Sequence, residues 1–213
     1  GTIQSTLDMF LTSSLKICGE VELGIHQYLL GRTGRIEDIE RVYAHPQSLA
    51  QCKAWLRANL PKAELVPTPS NADAARRARN ADDAAALAGE SAGHVYGLKT
   101  IAGPANDRAD NTTRFLVLGR ELLPTCGHDR TSLLVFVNDQ PGALFGILKP
   151  FADVGLSLNR IESRPAHTRR WEYAFFIDVS GHVDQPEMQA ALQQLGAFAS
   201  TVKILGSYPV AVL

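Results

Sequence analysis

Neither sign of charge dominates these 213 residues: 21 Lys+Arg stand against 22 Asp+Glu, so no bulk field gathers nucleic acid or an anionic membrane surface. The expected partner is a small molecule or another protein chain. Cysteine is scarce. Cys18, Cys52 and Cys126 are odd in number, far apart and without a CxxC pair, which fits reduced structural thiols and, with them, a cytoplasmic setting. No apolar run approaches the roughly 18 residues of a membrane span. His26, His45, His94, His128, His167 and His182 fall into no HxxxH or CxxH spacing, so no metal is predicted. An initiator methionine is also missing. Gly1 opens at once into helical periodicity through Ile3, Leu7, Phe10 and Leu11, which reads as a chain entered in mid-domain, and the lack of a signal peptide then carries no information.

What is present can fill a core: 45% of the residues are hydrophobic, at a length that suits one large or two small domains, and two are expected. Leu15 to Leu23 alternates as a strand or strand pair, Gly31 to Arg35 reads as a turn, and Val42-Tyr-Ala as a short strand. Pro46 suits a first helical turn, with Leu49, Cys52, Ala54, Trp55 and Leu56 as its apolar face. Leu65-Val66 is a further short strand. Asn71 to Gly89 is alanine-rich and predicts a pair of helices, with Asp73 or Asp82 near their N-termini. Residues 99 to 110 predict a loop. Alternating short strands and helices argue for a mixed α/β lobe.

That loop leads into Asp110-Asn-Thr-Thr-Arg-Phe-Leu-Val-Leu-Gly119. Asp, Asn and Thr favour turns because their short side chains hydrogen-bond the local backbone, and Arg-Phe-Leu-Val-Leu is a plausible strand. The same amide, hydroxyl and guanidinium groups, held at a strand end, suit a small anionic ligand. Residue types alone leave both readings standing.

Residues 122 to 130 have linker character, with Pro124 and Gly127, so the domain division is expected at 1–121, 122–130 and 131–213. Beyond the linker come a strand (Thr131 to Val137), a helix (Ala143 to Ala152, ended by Gly155), a strand (Leu156 to Ile161) and a third strand through Tyr173, Phe175, Ile177 and Val179. A helix through Met188, Ala191, Leu192 and Leu195 and a strand at Val202 and Ile204 complete βαββαβ, the ferredoxin-like arrangement.

Within that unit, Asn138-Asp-Gln-Pro-Gly-Ala-Leu144 joins the first strand to the first helix, and Glu162-Ser-Arg-Pro165 closes the second strand. Pro141 presets a helical turn, Gly142 lets a ligand approach the backbone, and a helix N-terminus offers unpaired N–H groups. Together these stretches resemble the ACT domain, in the phenylalanine-responsive form attached to prephenate dehydratases. Upstream, Asn111-x-Thr113-Arg114-Phe115 resembles the Asn-x-Thr-Arg-Phe signature of that family. So do His45-Pro-Gln-x-Leu-Ala-Gln51-Cys52, Glu22-Leu-x-Ile-His26 and Tyr96-Gly-Leu98, so the resemblance spans nearly the whole chain.

The resemblance implies an α/β fold with part of a periplasmic-binding-protein-like catalytic lobe followed by a ferredoxin-like βαββαβ ACT domain. It implies conversion of prephenate to phenylpyruvate without a cofactor, and phenylalanine bound between two ACT domains of a homodimer or higher homo-oligomer at Asn138, Pro141, Gly142, Ala143, Leu144, Glu162, Ser163, Arg164 and Pro165. Thr113 would give a proton to the departing hydroxyl. Gln51, Asn111, Ser70 and Phe115 would meet substrate. Arg114 has two roles left open, a bidentate carboxylate clamp or a tie that holds the lobe together. Two departures bear on this: Ala44 stands where the family often has Ser, and the family's first lobe and a Glu-Asn-Ser/Thr segment would precede Gly1, which leaves open whether these residues turn substrate over unaided. Two other classes compete, a non-catalytic amino-acid sensor and a bilobal solute-binding protein. Only the dehydratase requires a hydroxyl at 113.

Overall fold

The computed structural model describes residues 4–165 and 172–211. Ile3 and His167 lie outside them. The elements run α1 (Gln4–Thr12), β1 (Lys16–Gly24), β2 (Tyr28–Gly31), β3 (Arg41–Ala44), α2 (Pro46–Gln51), α3 (Lys53–Asn59) and β4 (Glu64–Pro67). There follow α4 (Asn71–Ala78), β5 (Ala84–Ala88), α5 (Glu90–Tyr96), β6 (Lys99–Ala102) and β7 (Thr112–Gly119). The C-terminal part comprises β8 (Asp129–Asn138), α6 (Ala143–Asp153), β9 (Leu158–Pro165), β10 (Glu172–Ser180), α7 (Pro186–Leu195) and β11 (Thr201–Pro209). These form two compact units, Leu23–Thr113 and a second made of Gly1–Glu22 with Arg114–Leu213. The compact units thus divide the chain elsewhere than the linker composition does.

The 23–113 unit is built on a five-stranded sheet in the order β4-β3-β5-β2-β6. β5 lies at its centre, parallel to β3 and antiparallel to β2. Here the expected second helix of 71–89 is corrected: only α4 is helical, and Ala84–Ala88 is a strand with every residue buried. The cause is packing. Ala86 and Ala88 meet Ala74, Ala75 and Ala78 of α4, while Ala85 and Leu87 face Cys52 and Leu56 of the 46–59 helices. A strand covered by helices on both faces has room for small side chains, and burial overrides alanine's helix propensity. Two further differences follow. Lys99–Ala102, expected as loop, is the edge strand β6 paired with β2. The helix expected after Pro46 breaks at Cys52 into α2 and α3, because Asp107 caps the second piece, accepting from the backbone N–H groups of Ala54 and Trp55 at 2.9 Å each.

The second unit carries the βαββαβ order as predicted. Its antiparallel sheet runs β11-β8-β10-β9. Strand alternation sends Leu133, Val135, Val137, Phe175 and Ile177 toward Ile147, Phe151, Met188 and Leu195 of α6 and α7. Leu134, Ala174, Phe176 and Leu205 point the other way, onto Leu7 and Phe10 of α1 and Ile17 of β1. The N-terminal helix therefore finishes the core of the C-terminal sheet. Gly206 permits the closest approach, since a Cβ there would stand 2.0 Å from the Ile17 carbonyl oxygen.

Candidate active site

The polar loop after β6 forms one wall of an open cavity of about 480 Å³ lined by Ala50, Gln51, Asn106, Asp107, Arg108, Asp110, Asn111 and Thr112. Gln51 enters from the end of α2, whose first turn is set by Pro46 and by His45, which accepts from the Gln47 N–H. Asn106 fixes the loop from below: its Oδ1 accepts from Gln27 N at 2.6 Å and its Nδ2 donates to the Ile25 carbonyl at 3.2 Å. Asn111 donates to the same carbonyl at 3.2 Å, and its own carbonyl accepts from Ile25 N at 2.8 Å. Behind the loop, burial and the nearby Asp107 push the Cys52 thiol up to about 12, so it is an inert core group.

The cavity brings together Gln51 and Asn111, two residues singled out from the sequence. It does not take in the others. Thr112 rather than Thr113 lines the wall, and Thr113 is exposed one residue further along β7. Ser70 lies outside that wall and is the N-cap of α4, its hydroxyl accepting from Asp73 N at 3.1 Å. Phe115 is half-exposed and absent from the wall. Asn106, Asp107, Arg108 and Asp110 belong to the stretch that the sequence marks only as a loop; the density of side-chain donors and acceptors in it is the available signal.

Of the two roles open to Arg114, the geometry around it is that of the tie. Its Nε donates to Glu20 at 2.5 Å, Nη1 to Asp178 at 2.6 Å and Nη2 to the Tyr208 hydroxyl at 2.6 Å, so protein carboxylates already hold the fork a substrate would need. Arg130 Nη1 reaches both oxygens of Glu20 at 2.7 Å, and the Glu20 side chain is fully buried. Ser132 gives its proton to Asp178, which leaves Tyr208 to donate to Ser132. Burial opposes the charge on Arg114, but Asp178, Tyr208 and Glu20 outweigh it and hold its pKa above the usual value. Burial and Asp178 push the Tyr208 phenol up to about 12, so it stays a donor.

In the second unit, the two regulatory motifs lie at the same end of one sheet, on either side of β10. β8 and β9 both pair antiparallel with β10, Glu172 opposite Asn138 and Tyr173 opposite both Val137 and Pro165. Gly142 caps α6 in the left-handed region at φ 79°, while Leu144 and the neighbouring Phe145 are exposed. Strand alternation splits the second motif. Ser163 stands opposite Phe175 on the face toward α6 and α7; Glu162 and Arg164 stand opposite Phe176 and Ala174 on the α1 face, where Arg164 pairs with Asp8 at 2.9 Å.

Comparison with known proteins agrees with this arrangement. The family model for prephenate dehydratase matches residues 1–122, and that for the ACT domain matches residues 131–197. The chain belongs to the prephenate dehydratase family. It is 47% identical over 214 residues to a bifunctional chorismate mutase/prephenate dehydratase of Stutzerimonas stutzeri and 46% identical to that of Pseudomonas aeruginosa, covering all of this chain and 59% of each relative. Among solved structures, prephenate dehydratase from Arthrobacter aurescens in complex with L-Phe superposes with a TM-score of 0.86 at 35% identity, over 98% of this chain and 71% of that one. A quorum-quenching acylase, GqqA, superposes with a TM-score of 0.82 at 32% identity, over 92% of this chain and 73% of that one. Prephenate dehydratases thus share both halves of this chain.

Two outcomes follow from the geometry. Ser70→Ala should cost about 1 kcal/mol of stability, the usual worth of a helix N-cap, and leave the KM for substrate unchanged; a rise in KM would return Ser70 to the site. Glu20→Ala strips two part-buried guanidinium groups of a shared, fully buried partner and should cost about 3 kcal/mol in urea unfolding, whereas a loss under about 1 kcal/mol would show the network to be slack.

Proposed function

We propose that the protein catalyses the decarboxylative dehydration of prephenate to phenylpyruvate in phenylalanine biosynthesis, in the cytoplasm, as a homodimer or larger homo-oligomer regulated by phenylalanine. Residues 1–121 supply catalytic parts and residues 131–213 the regulatory domain. The observation that carries this reading is the convergence of Gln51 and the Asn111-Thr112 strand start on one polar cavity, in a chain of the prephenate dehydratase family.

The chemistry asks little beyond positioning. The bond from the ring to its carboxylate breaks, that electron pair moves into the ring, and the C–O bond opposite breaks as the hydroxyl takes up a proton and leaves as water. Aromatisation drives the step. Thr113 gives the proton and regains one from solvent. Gln51 and the second N–H of Asn111 hold substrate oxygens, and a fixed donor at a leaving oxygen stabilises charge only as it develops. Arg114 acts on the site through the strand it anchors.

Phenylalanine would be held by the 138–144 turn and the 162–165 strand end. The start of α6 supplies N–H donors for its carboxylate, and the exposed Leu144 and Phe145 supply apolar surface. Because the ligand can shift an equilibrium only by its differential affinity for two arrangements, regulation would follow from pairing of two such domains.

In the complete protein, Thr113→Ala should lower kcat by about 10²-fold with KM little changed, and Thr112→Ala should cost far less; phenylpyruvate absorbance measures both. The reverse order would move the proton donor to Thr112. No phenylpyruvate from the unaltered protein would favour the amino-acid-sensing or solute-binding alternative. For regulation, Gly142→Val should abolish phenylalanine binding by calorimetry. A Cβ there meets nothing within 4 Å, so the cause is the positive φ and the covered backbone rather than a clash inside the protein. Equal affinity in both proteins would sink the assignment.

A further inference from the structure

Arg108 has the setting of a ligand-binding group. Among the described residues lining the cavity it alone carries a positive charge. The loop that carries it is fixed on both sides. Before it, Asn106 is held to Ile25 and Gln27, and Asp107 is held by the N-terminus of α3 and by its own N–H to the Gln51 carbonyl at 2.8 Å; after it, Asn111 is bonded to Ile25. The Arg108 side chain is nevertheless 82% exposed, and its partner, Asp110, is 71% exposed. Nε and Nη2 meet the two Asp110 oxygens at 3.1 and 2.9 Å, the fork geometry of a carboxylate complex. Asp107 cannot compete for the fork, since both of its oxygens cap α3.

An exposed ion pair of this kind contributes little to stability. Exchanging Asp110 for another carboxylate in the same fork is therefore nearly neutral, and a rigid loop makes the exchange inexpensive in ordering. We propose that Arg108 binds a carboxylate of the substrate and that Asp110 is the group the substrate displaces. This rests on the dehydratase reading, in which the substrate is a dicarboxylate, and it supplies the cation that Arg114, tied to Glu20 and Asp178, does not.

A clamp on a carboxylate remote from the leaving oxygen binds ground state and transition state alike, so it appears in KM rather than kcat. In the complete protein with prephenate, Arg108→Gln should raise KM by about 10-fold with kcat within about 3-fold, and Arg108→Lys, which keeps the charge but loses the fork, should fall between. Asp110→Asn should act in the opposite sense, lowering KM by about 2-fold, because it weakens the competitor. An unchanged KM in Arg108→Gln overturns the assignment, as does an Asp110→Asn that raises KM as much as Arg108→Gln, since that would make the pair a structural clasp. Either result with an active unaltered protein leaves the dehydratase reading intact; no turnover by the unaltered protein ends both.

Discussion

The buried carboxylate of Glu20 is the point on which the second unit closes. It comes from β1 and is met by Arg114 of β7, Arg130 of β8 and the backbone N–H of Ala211 just past β11; Arg114 then passes the network to Asp178 of β10 and to Tyr208. Two guanidinium groups face two carboxylates, so the cluster is neutral as a whole, the condition under which buried charge is tolerable. A slip of β1 or β7 by one residue would turn Glu20 or Arg114 outward and leave the remaining charges unpaired. The network thus sets register for strands that come from opposite ends of the sequence. It is not perfectly satisfied: Arg130 Nε is buried without a hydrogen-bond partner among the described residues, an orphan of the kind that costs about 1–3 kcal/mol.

Arg114 and Thr113 are adjacent residues of one strand that belong to different compact units. β7 has a polar, exposed start and an anchored middle. Arg114 and Leu116 turn inward, Phe115 and Val117 outward. The family signature Asn-x-Thr-Arg-Phe therefore contains residues of two kinds. Its Asn reaches the cavity wall, whereas its Arg holds the strand in place.

Much of this was legible in the residues. The βαββαβ order followed from strand alternation in 131–137 and 173–179 and from the helical face of 143–152, local patterns set by which side chains must be buried. Asn111 and Gln51 were found through motifs, and their meeting in one cavity agrees with that reading of their residue types. Ser70 was not legible as the N-cap of α4, because a hydroxyl that caps a helix and one that binds a ligand look alike in sequence. The stretch 84–88 was not legible as a strand, because alanine has no side-chain bulk to signal which period it obeys; only the helices on both faces of β5 decide it.

Sequence by itself determined the family, the elements with strong periodicity, and the residue types available for a small anionic ligand, since these depend on local propensity and short motifs. Tertiary structure decided what those residues are free to do. Arg114 and Arg108 are the same side chain six positions apart, and nothing local distinguishes them. One is surrounded by Glu20, Asp178 and Tyr208 contributed from distant strands, and is committed to the fold. The other lies on an anchored loop facing solvent and pairs with an exposed neighbour that can be replaced. Hydrogen-bonding capacity is fixed by chemistry, but whether it has already been used depends on residues that only folding brings within 3 Å.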